Sequence, residues 1–306
     1  MQASTIAIVI CSFMLYYLST RRARERVTRK LGISQRAYIF LPLTFTVLLV
    51  VCIISLVLAF LGQASTPTDS LLGVVAILAL SAIIGLSIER DSIPVQDAHA
   101  RRILFIGAHP DDLELACGGT IASLIDRGHA VRALVMSDGR QGGNAQVRTL
   151  EARNGANFLG VLDVEVHSFA DTRLSEHSCE LISVIENAVS DFKPDIIITH
   201  SGNDQHQDHQ AVHEAVLRGA RRAPSILCFE SPSATRQFNP SVYIDITPYI
   251  HIKVAAVQVH HDQAGKPYMN ETIVRSIAAF RGVQARCEFA EAFEPVRYQY
   301  TVRELT

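Results

Sequence analysis

The sequence lacks three features that would each indicate a particular class of protein. Its six cysteines form no CxxC pair, so buried reduced thiols are expected rather than a disulfide frame or a zinc knuckle. It has no overall basic excess, because 28 lysines and arginines are matched by 30 acids and seven of the bases fall within residues 21–36. The remainder is mildly acidic, which argues against non-specific nucleic-acid binding. It also has no internal repeat and no low-complexity segment.

Charge is absent from three long apolar runs in the first 90 residues, at residues 3–20, 38–62 and 71–88. A helix needs roughly 20 apolar residues to cross a bilayer, so we expect about three transmembrane helices. Buried core helices are one alternative, but the runs lack the charged face that such helices carry. A cleaved signal peptide is the alternative for the first run, but it requires basic residues before the run, and here they follow it.

The loops between these runs predict the orientation of the chain. Short loops rich in Lys and Arg stay in the cytoplasm; the first loop holds seven basic residues, whereas residues 63–70 hold none and one acid. We therefore expect an external N-terminus and an integral membrane protein whose catalytic domain is cytoplasmic. The predicted organisation is a transmembrane anchor at residues 1–90, a linker at 91–100 and a catalytic domain at 101–306.

From residue 101 onward, short apolar runs alternate with helical stretches. This alternation predicts an α/β fold, a Rossmann-like and mostly parallel sheet with helices on both faces. The predicted strands are residues 103–108, 130–136, 165–169, 195–199, 226–229 and 242–246, and the predicted helices are 115–127, 146–159, 179–190 and 252–260. Ligands of such sheets bind beyond the carboxyl ends of the strands, and polar clusters follow the first four strands.

The cluster after the first strand is AHPDD at residues 108–112. Imidazole and carboxylate groups are zinc ligands, and a catalytic zinc ion keeps one position open for water. His109 with one of the two aspartates is therefore a candidate metal site, in which the second carboxylate is free to take a proton from that water. Capping of the following helix is the alternative role for Asp111 or Asp112.

The cluster after the fourth strand, HQDH at residues 206–209, offers further ligands. His206 and His209 form one candidate pair. His209 and His213 form another, since their i, i+4 spacing places both on one face of a helix. Spacing alone does not decide between the pairs. Gly118 and Gly119 lie inside the first predicted helix, where glycine costs stability, so we expect close backbone packing there.

Together these motifs resemble the PIG-L/LmbE-like N-acetylglucosamine deacetylases. The resemblance rests on AHPDDLE at residues 108–114 followed by GGT at 118–120. It is extended by RTLEAR, FADTRL, HQDH and FAEAF at residues 148–153, 169–174, 206–209 and 289–293. HQDH departs from the HPDH of the family by a glutamine in place of a turn-shaping proline. The resemblance covers about residues 101–297 and leaves the apolar N-terminal third outside it.

The resemblance implies a metal-dependent N-acetyl sugar deacetylase with one zinc ion, Zn²⁺, per chain. It implies that the ligands of this ion are His109, Asp112 and His209. His213 is thereby set aside as a residue on the helix surface.

The resemblance also implies roles for the neighbouring polar residues. Asp111 would be the general base and His206 the group that stabilises the oxyanion, and Asp208 belongs to the same catalytic set. Arg148 and Asp171 match positions that contact the sugar, with a salt bridge between helix and loop as the alternative.

The expected substrate is an N-acetyl amino sugar, lipid-linked or held close to membrane lipid, and no nucleic-acid partner is expected. The alternatives are a soluble GlcNAc conjugate of the thiol-cofactor type, another acyl amide, and a non-catalytic sugar-binding membrane module. The last would have lost a ligand or the base, yet all of these positions are intact. His260 and His261 occupy a region where family members often have one histidine, and we expect them at a partly exposed helix end.

Overall fold

A computed structural model describes residues 100–299 and eight helical residues nearer the N-terminus. These eight are Ser12, Phe13, Tyr16, Tyr17, Thr46, Leu49, Val50 and Ile53. Apart from them, the three predicted membrane spans lie outside the described residues, as does the predicted linker up to residue 99. Among the residues that are described, no helix has both the length and the apolar character needed to span a bilayer. Internal contacts divide the chain into residues 1–92 and residues 93–306, and the second unit is described below.

Within residues 100–299, seven strands form one sheet. They are β1 Arg102–Gly107, β2 Ala130–Ser137, β3 Asp163–Phe169, β4 Ile196–His200, β5 Ser225–Phe229, β6 Val242–Asp245 and β7 Ala290–Arg297. Their order is β3-β2-β1-β4-β5-β7-β6. The first five strands are parallel, and β7 runs antiparallel between β5 and β6. The predicted α/β fold with a mostly parallel sheet is confirmed, and the order reverses between β1 and β4, where such sheets bind ligands.

Helices cover both faces of this sheet. Those of the described domain are α1 Asp112–Asp126, α2 Ala145–Leu159, α3 Ser178–Phe192, α4 Gln207–Gly219, α5 Ile250–Val257 and α6 Glu271–Ala285. Residues of α1, α2 and α5 share one apolar core with one face of the sheet, and residues of α3 and α4 share a second core with the other face.

Strand β1 shows why the sheet is buried on both sides. Side chains alternate between the faces of a strand, so Ile103 and Phe105 pack into one core while Leu104 and Ile106 pack into the other. All four are at most 1% exposed. An apolar strand of this kind is typical of parallel sheets, and β1 delivers the chain directly to the turn that carries His109.

The glycines inside α1 are closely packed, as predicted. A Cβ atom on Gly119 would lie 2.7 Å from Cβ of Ile246. The N–H groups of Gly119 and Thr120 donate to the two carboxylate oxygens of Glu291 on β7, at 3.0 and 2.7 Å. Lys253 of α5 donates to the same carboxylate at 2.5 Å. A buried ion pair therefore joins α1 to α5 and β7.

Candidate active site

The polar clusters at the strand ends meet in one cleft of about 370 Å³. The three predicted metal ligands, the predicted base, His206 and both predicted sugar contacts line this cleft. Asp208 does not line it, because its side chain is fully buried. The fold thus brings together residues that lie as far apart in the sequence as the turn after β1 and the start of α4.

Asp111 occupies a strained position at the start of α1. Its φ of 106° lies in the left-handed region, which a residue with a Cβ rarely adopts. Its side chain forms no capping hydrogen bond, and its Oδ2 is buried without a hydrogen-bond partner, so the alternative role as a helix cap is not what the geometry supports. Burial and the charge of Asp112 raise the pKa of Asp111 to about 6. Strain and a perturbed pKa together are typical of functional residues.

Asp112, by contrast, is firmly held. Its Oδ2 accepts hydrogen bonds from the N–H groups of Ala108 and His109 at 3.0 and 2.7 Å, and lies 3.0 Å from Nε2 of His200. Although burial opposes it, the neighbouring His200 and His209 hold the pKa of Asp112 well below its usual range. Its Oδ1 lies 3.6 Å from Nε2 of His209, beyond hydrogen-bond distance, and is available as a ligand.

His209 is oriented by a carboxylate behind it. Its Nδ1 lies 2.8 Å from Oδ2 of Asp204, and that carboxylate also accepts hydrogen bonds from the hydroxyls of Ser231 and Ser233. Although burial opposes it, these hydrogen bonds lower the pKa of Asp204. A carboxylate partner on one ring nitrogen fixes the tautomer and leaves the other nitrogen free to bind a metal. Nε2 of His209 is that free nitrogen.

His109 is oriented in the same way. Its Nε2 lies 3.0 Å from Oδ2 of Asp208 and 3.2 Å from Oδ1 of Asp171. Its Nδ1 faces Oδ2 of Asp112 across 3.6 Å. Asp208 also accepts the N–H groups of Thr172 and Leu174, so its place in the site is to hold the His109 ring rather than to touch a substrate.

Asp112 lies close to both of the predicted histidine ligands, with a different carboxylate oxygen toward each. Ligands about 2.1 Å from a tetrahedral zinc ion lie roughly 3.4 Å from one another. Oδ2 of Asp112 is 3.6 Å from Nδ1 of His109, and Oδ1 of Asp112 is 3.6 Å from Nε2 of His209. Among the described residues, three groups have ligand atoms all within 4.8 Å of one another, and the predicted set is not one of them: His109 with His206 and His209, Asp112 with His200 and His209, and His109 with Asp171 and Asp208. His200 and Asp208 are fully buried, so a ligand set that used either would be closed to water and substrate.

His206 begins α4 as its N-cap, and its Nδ1 accepts the N–H of Asp208 at 3.2 Å. Burial and the charge of His109 lower the pKa of His206, which favours a neutral ring. With Nδ1 used as an acceptor, the neutral ring carries its proton on Nε2 and can still donate a hydrogen bond. The His206 ring stacks on His209 at 4.5 Å between centroids, and His209 stacks on His200 at 3.9 Å.

Arg148 is buried and holds the backbone around the cleft. It donates to the carbonyl oxygens of Gly139 and Pro110 at 2.6 and 2.9 Å, and one of its amino groups lies 3.5 Å from Oδ2 of Asp111. Within the described residues the ion-pair partner of Arg148 is therefore Asp111. The alternative of a salt bridge between helix and loop would have paired Arg148 with Asp171 instead. Through Pro110, Arg148 supports the turn from which Asp111 projects.

Two histidines differ from the sequence-based expectation. His213 is half-buried rather than on the helix surface, with its Nδ1 2.9 Å from the carbonyl oxygen of His200, and it does not line the cleft. The partly exposed helix end expected for His260 is wrong, because α5 ends at Val257 and His260 is 1% exposed. Its neighbour His261 is exposed.

Three residues in or beside the site were not singled out from the sequence: His200, Asp204 and Glu114. Two of them, His200 and Asp204, fall within the polar run at residues 200–209, and Glu114 belongs to the first motif. The sequence signal that could have found these residues was a polar residue next to the end of a buried strand. It could not assign partners, since those come from distant parts of the chain.

The sequence matches a family model described as GlcNAc-PI de-N-acetylase over residues 104–220. The protein named Uncharacterized deacetylase YaiS, from Escherichia coli strain K12, is 36% identical over 178 residues, which cover 56% of this chain and 96% of that protein. Diacetylchitobiose deacetylase from Thermococcus kodakarensis is 28% identical over 217 residues, covering 62% and 81%. The conserved protein TT1542 from Thermus thermophilus shares the fold, with a TM-score of 0.58 at 22% identity over 66% of this chain and 98% of that one.

Proposed function

This chain belongs to the PIG-L family, and from that premise we propose that it is a zinc-dependent deacetylase that hydrolyses the N-acetyl group of an N-acetylglucosamine-type sugar. The observation that carries the proposal is the placement of Asp111. A buried carboxylate oxygen without a hydrogen-bond partner stands beside three potential metal ligands. The cleft of about 370 Å³ falls within the size range of small-ligand sites.

The ion would be held by His109, Asp112 and His209, whose nitrogen and oxygen donors suit zinc. When bound, zinc lowers the pKa of water to about 7 and polarises the acetyl carbonyl. The protein contributes ligands that are already oriented, because the second nitrogen of each histidine is fixed by a carboxylate.

Asp111 would carry the proton of the reaction. It accepts a proton from the attacking water and returns it to the sugar nitrogen as the C–N bond breaks, so that the products are acetate and a free amine. General base and acid catalysis of this kind contributes about 10²–10⁴-fold. Arg148 supports this step by holding the carbonyl of Pro110 beside it.

His206 would stabilise the negative charge that develops on the carbonyl oxygen. Its Nε2 carries the proton of the neutral ring, so it can donate a hydrogen bond without being charged. A donor aimed at a developing oxyanion is among the larger single contributions to catalysis. Asp171 lines the same cleft and, with Arg148, would contact the sugar.

The finer part of the proposal concerns the substrate and its location. We propose that the sugar is lipid-linked or close to the membrane and that the cleft faces the cytoplasm. The uncharged runs at residues 3–20, 38–62 and 71–88 and the basic loop that follows the first run support this. The family description, which names a GlcNAc-PI de-N-acetylase, also supports it. A soluble GlcNAc conjugate is the second candidate, favoured by the similarity to a diacetylchitobiose deacetylase.

The activity can be tested with the full-length chain supplied with Zn²⁺. It is incubated with lipid-linked and lipid-free N-acetylglucosaminyl compounds, and released acetate is measured against the Asp111→Asn variant. Acetate from wild type alone supports the deacetylase assignment, and faster release from the lipid-linked compound supports the finer proposal. Equal rates on both kinds of compound would leave the deacetylase and remove the lipid link.

The location needs a separate experiment. A reporter fused after Thr306 should be active if it works in the cytoplasm and silent if it requires export. The opposite pattern would overturn the proposed topology without affecting the chemistry.

A further inference from the structure

Exposed apolar side chains of the described domain concentrate on helix α6. Within residues 100–299, eight large apolar side chains are exposed, and four of them lie on this helix: Ile273, Ile277, Phe280 and Val283, at 42%, 44%, 59% and 72%. Their spacing of three and four residues places them on one side of the helix, here called the α6 face. The opposite side of α6 packs into two small apolar clusters that include residues of α5. An apolar patch that stays exposed on a packed helix indicates an interaction site.

The α6 face carries no charge. The exposed residues of α6 are Thr272, Ile273, Ser276, Ile277, Phe280, Val283 and Gln284. Glu271, the one acid of the helix, pairs with Arg275 at 2.8 Å, and Arg281 pairs with Glu230. The α6 face can therefore meet an apolar medium without taking a charged group out of water, which would be costly.

The segment before the domain is short enough to keep α6 within reach of the bilayer in which we propose to place the N-terminal runs. The last uncharged apolar run ends at residue 88, and β1 begins at Arg102. The 13 residues between them span at most about 45 Å when fully extended. A domain tethered in this way stays close to the lipid surface.

The size of the α6 face favours lipid over a second copy of the chain as its partner. A stable protein–protein interface takes about 20–30 residues from each partner, whereas the α6 face offers four apolar side chains on one helix. A tethered domain needs no such area, because the tether keeps its local concentration at the lipid surface high. Shallow insertion of four side chains is then enough to orient the domain.

Helix α6 is directly connected to the wall of the cleft. Tyr268 lines the cleft, and α6 begins three residues later at Glu271. Met269 and Val274 share one buried cluster with residues of α5, so the wall and the helix are held together. A surface that meets α6 is therefore also close to this wall of the cleft.

We propose that the α6 face docks on the lipid bilayer and places the cleft beside the lipid surface. This inference rests on the proposed membrane location of the chain. It supplies a physical reason for the proposed preference for a lipid-linked sugar, since such a substrate reaches the cleft while its lipid remains in the bilayer.

The sequence contains no tryptophan, so a single introduced tryptophan reports its own surroundings. Full-length Phe280→Trp is reconstituted into phosphatidylcholine vesicles with or without brominated acyl chains, which quench tryptophan on contact. We expect a blue-shifted emission that the brominated lipid quenches. Leu162→Trp is the matched control, because Leu162 is 86% exposed but precedes β3, at the sheet edge opposite the β6 edge on which α6 packs. The emission of the control should stay red-shifted and unquenched.

Activity tests the same contact through the substrate. Ile277→Gln combined with Phe280→Gln removes apolar side chains at exposed positions and should leave zinc content and the unfolding temperature unchanged. We expect kcat/KM on a lipid-linked compound to fall about 10-fold, because apolar burial in lipid is lost, while kcat/KM on a lipid-free compound stays at the wild-type value. Leu162→Gln is the control and should change neither.

Equal quenching of both tryptophans, or of neither, overturns the docking of α6, as does an unchanged kcat/KM on the lipid-linked compound in the double variant. A blue shift in Phe280→Trp without quenching by brominated lipid also overturns it. If that shift is lost when the protein is diluted in lipid, a second copy covers the α6 face, and if it persists, a segment of the same chain does.

The two levels of the proposal fail separately. Protein recovered outside the vesicle fraction overturns the membrane location and the docking together. Quenching of Phe280→Trp in a chain that releases no acetate from any sugar supports the docking and overturns the proposed deacetylase activity alone.

Discussion

The two sides of the cleft differ in how completely their polar atoms are satisfied. One side carries the three predicted metal ligands and is called the metal side. There, His209 is hydrogen-bonded to Asp204 and His109 to Asp208, and Asp112 accepts two backbone N–H groups. The other side carries the predicted base, Asp111, and is called the base side. There, Asp111 and His260 each have buried polar atoms without hydrogen bonds. The comparison shows a division of labour. The groups proposed to hold the metal have filled partners, and the group proposed to gain and lose a proton is left free to do so.

The largest effect on metal binding and turnover is expected from removing one of the proposed metal ligands. We expect His209→Ala to lose both bound zinc and detectable turnover, because two protein ligands remain where a catalytic site needs three. Metal analysis by mass spectrometry, beside acetate release, checks this. His213→Ala is the control and should keep its metal, since His213 lies outside the cleft. Full zinc occupancy in His209→Ala would refute the ligand set.

The base side should respond differently. Asp111→Asn keeps the shape of the side chain but cannot accept a proton, so we expect normal zinc content and a rate lower by about 10²–10⁴-fold. The measurement is kcat alongside metal stoichiometry in the same preparation. Near-normal turnover would remove Asp111 as the base.

His206 lies between the two sides and should separate their effects. We expect His206→Ala to retain zinc while kcat falls by about 10²–10³-fold, the cost of losing one oxyanion donor. His206→Asn restores a good N-cap for α4 and should recover stability without recovering kcat. Loss of zinc in both variants would mean that His206 is a ligand and would reopen the assignment.

The smallest expected effect comes from the partner behind a ligand. Asp204→Asn leaves all three ligands in place but removes the carboxylate that orients His209. We expect zinc affinity to fall about 10–100-fold, measured by titration with a competing chelator, and excess zinc to restore activity. An unchanged affinity would show that the metal side does not depend on its filled partners.

The sequence predicted the parts of the fold that repeat a simple pattern. Strands β1, β2, β4 and β5 were found because each is a short and mostly apolar run buried between helix layers. Strand β7 and helix α6 were not predicted. β7 carries the buried Glu291 together with Glu294 and Pro295, and a strand with a buried acid is recognisable only once the partners of that acid are known. Those partners, on α1 and α5 for Glu291, lie far away in the chain.

The site shows the same limit. The i, i+4 spacing made both His209 and His213 candidate ligands. The two differ in the direction in which their rings point from α4. His209 turns to Asp204 and the cleft, whereas His213 turns to the carbonyl of His200. His260 was expected at the surface because its burial depends on Glu114 and on the absence of a side chain at Gly155. Neither dependence can be read from a local pattern.

The contact between Glu291 and α1 has a consequence for how the protein is made. Asp111 and Asp112 stand at the first turn of α1, and the N–H groups in the middle of that helix are bonded by a carboxylate from β7. A ribosome releases Glu291 only after every candidate ligand has been synthesised. The helix that bears the candidate site therefore gains these partners only after β7 has been synthesised.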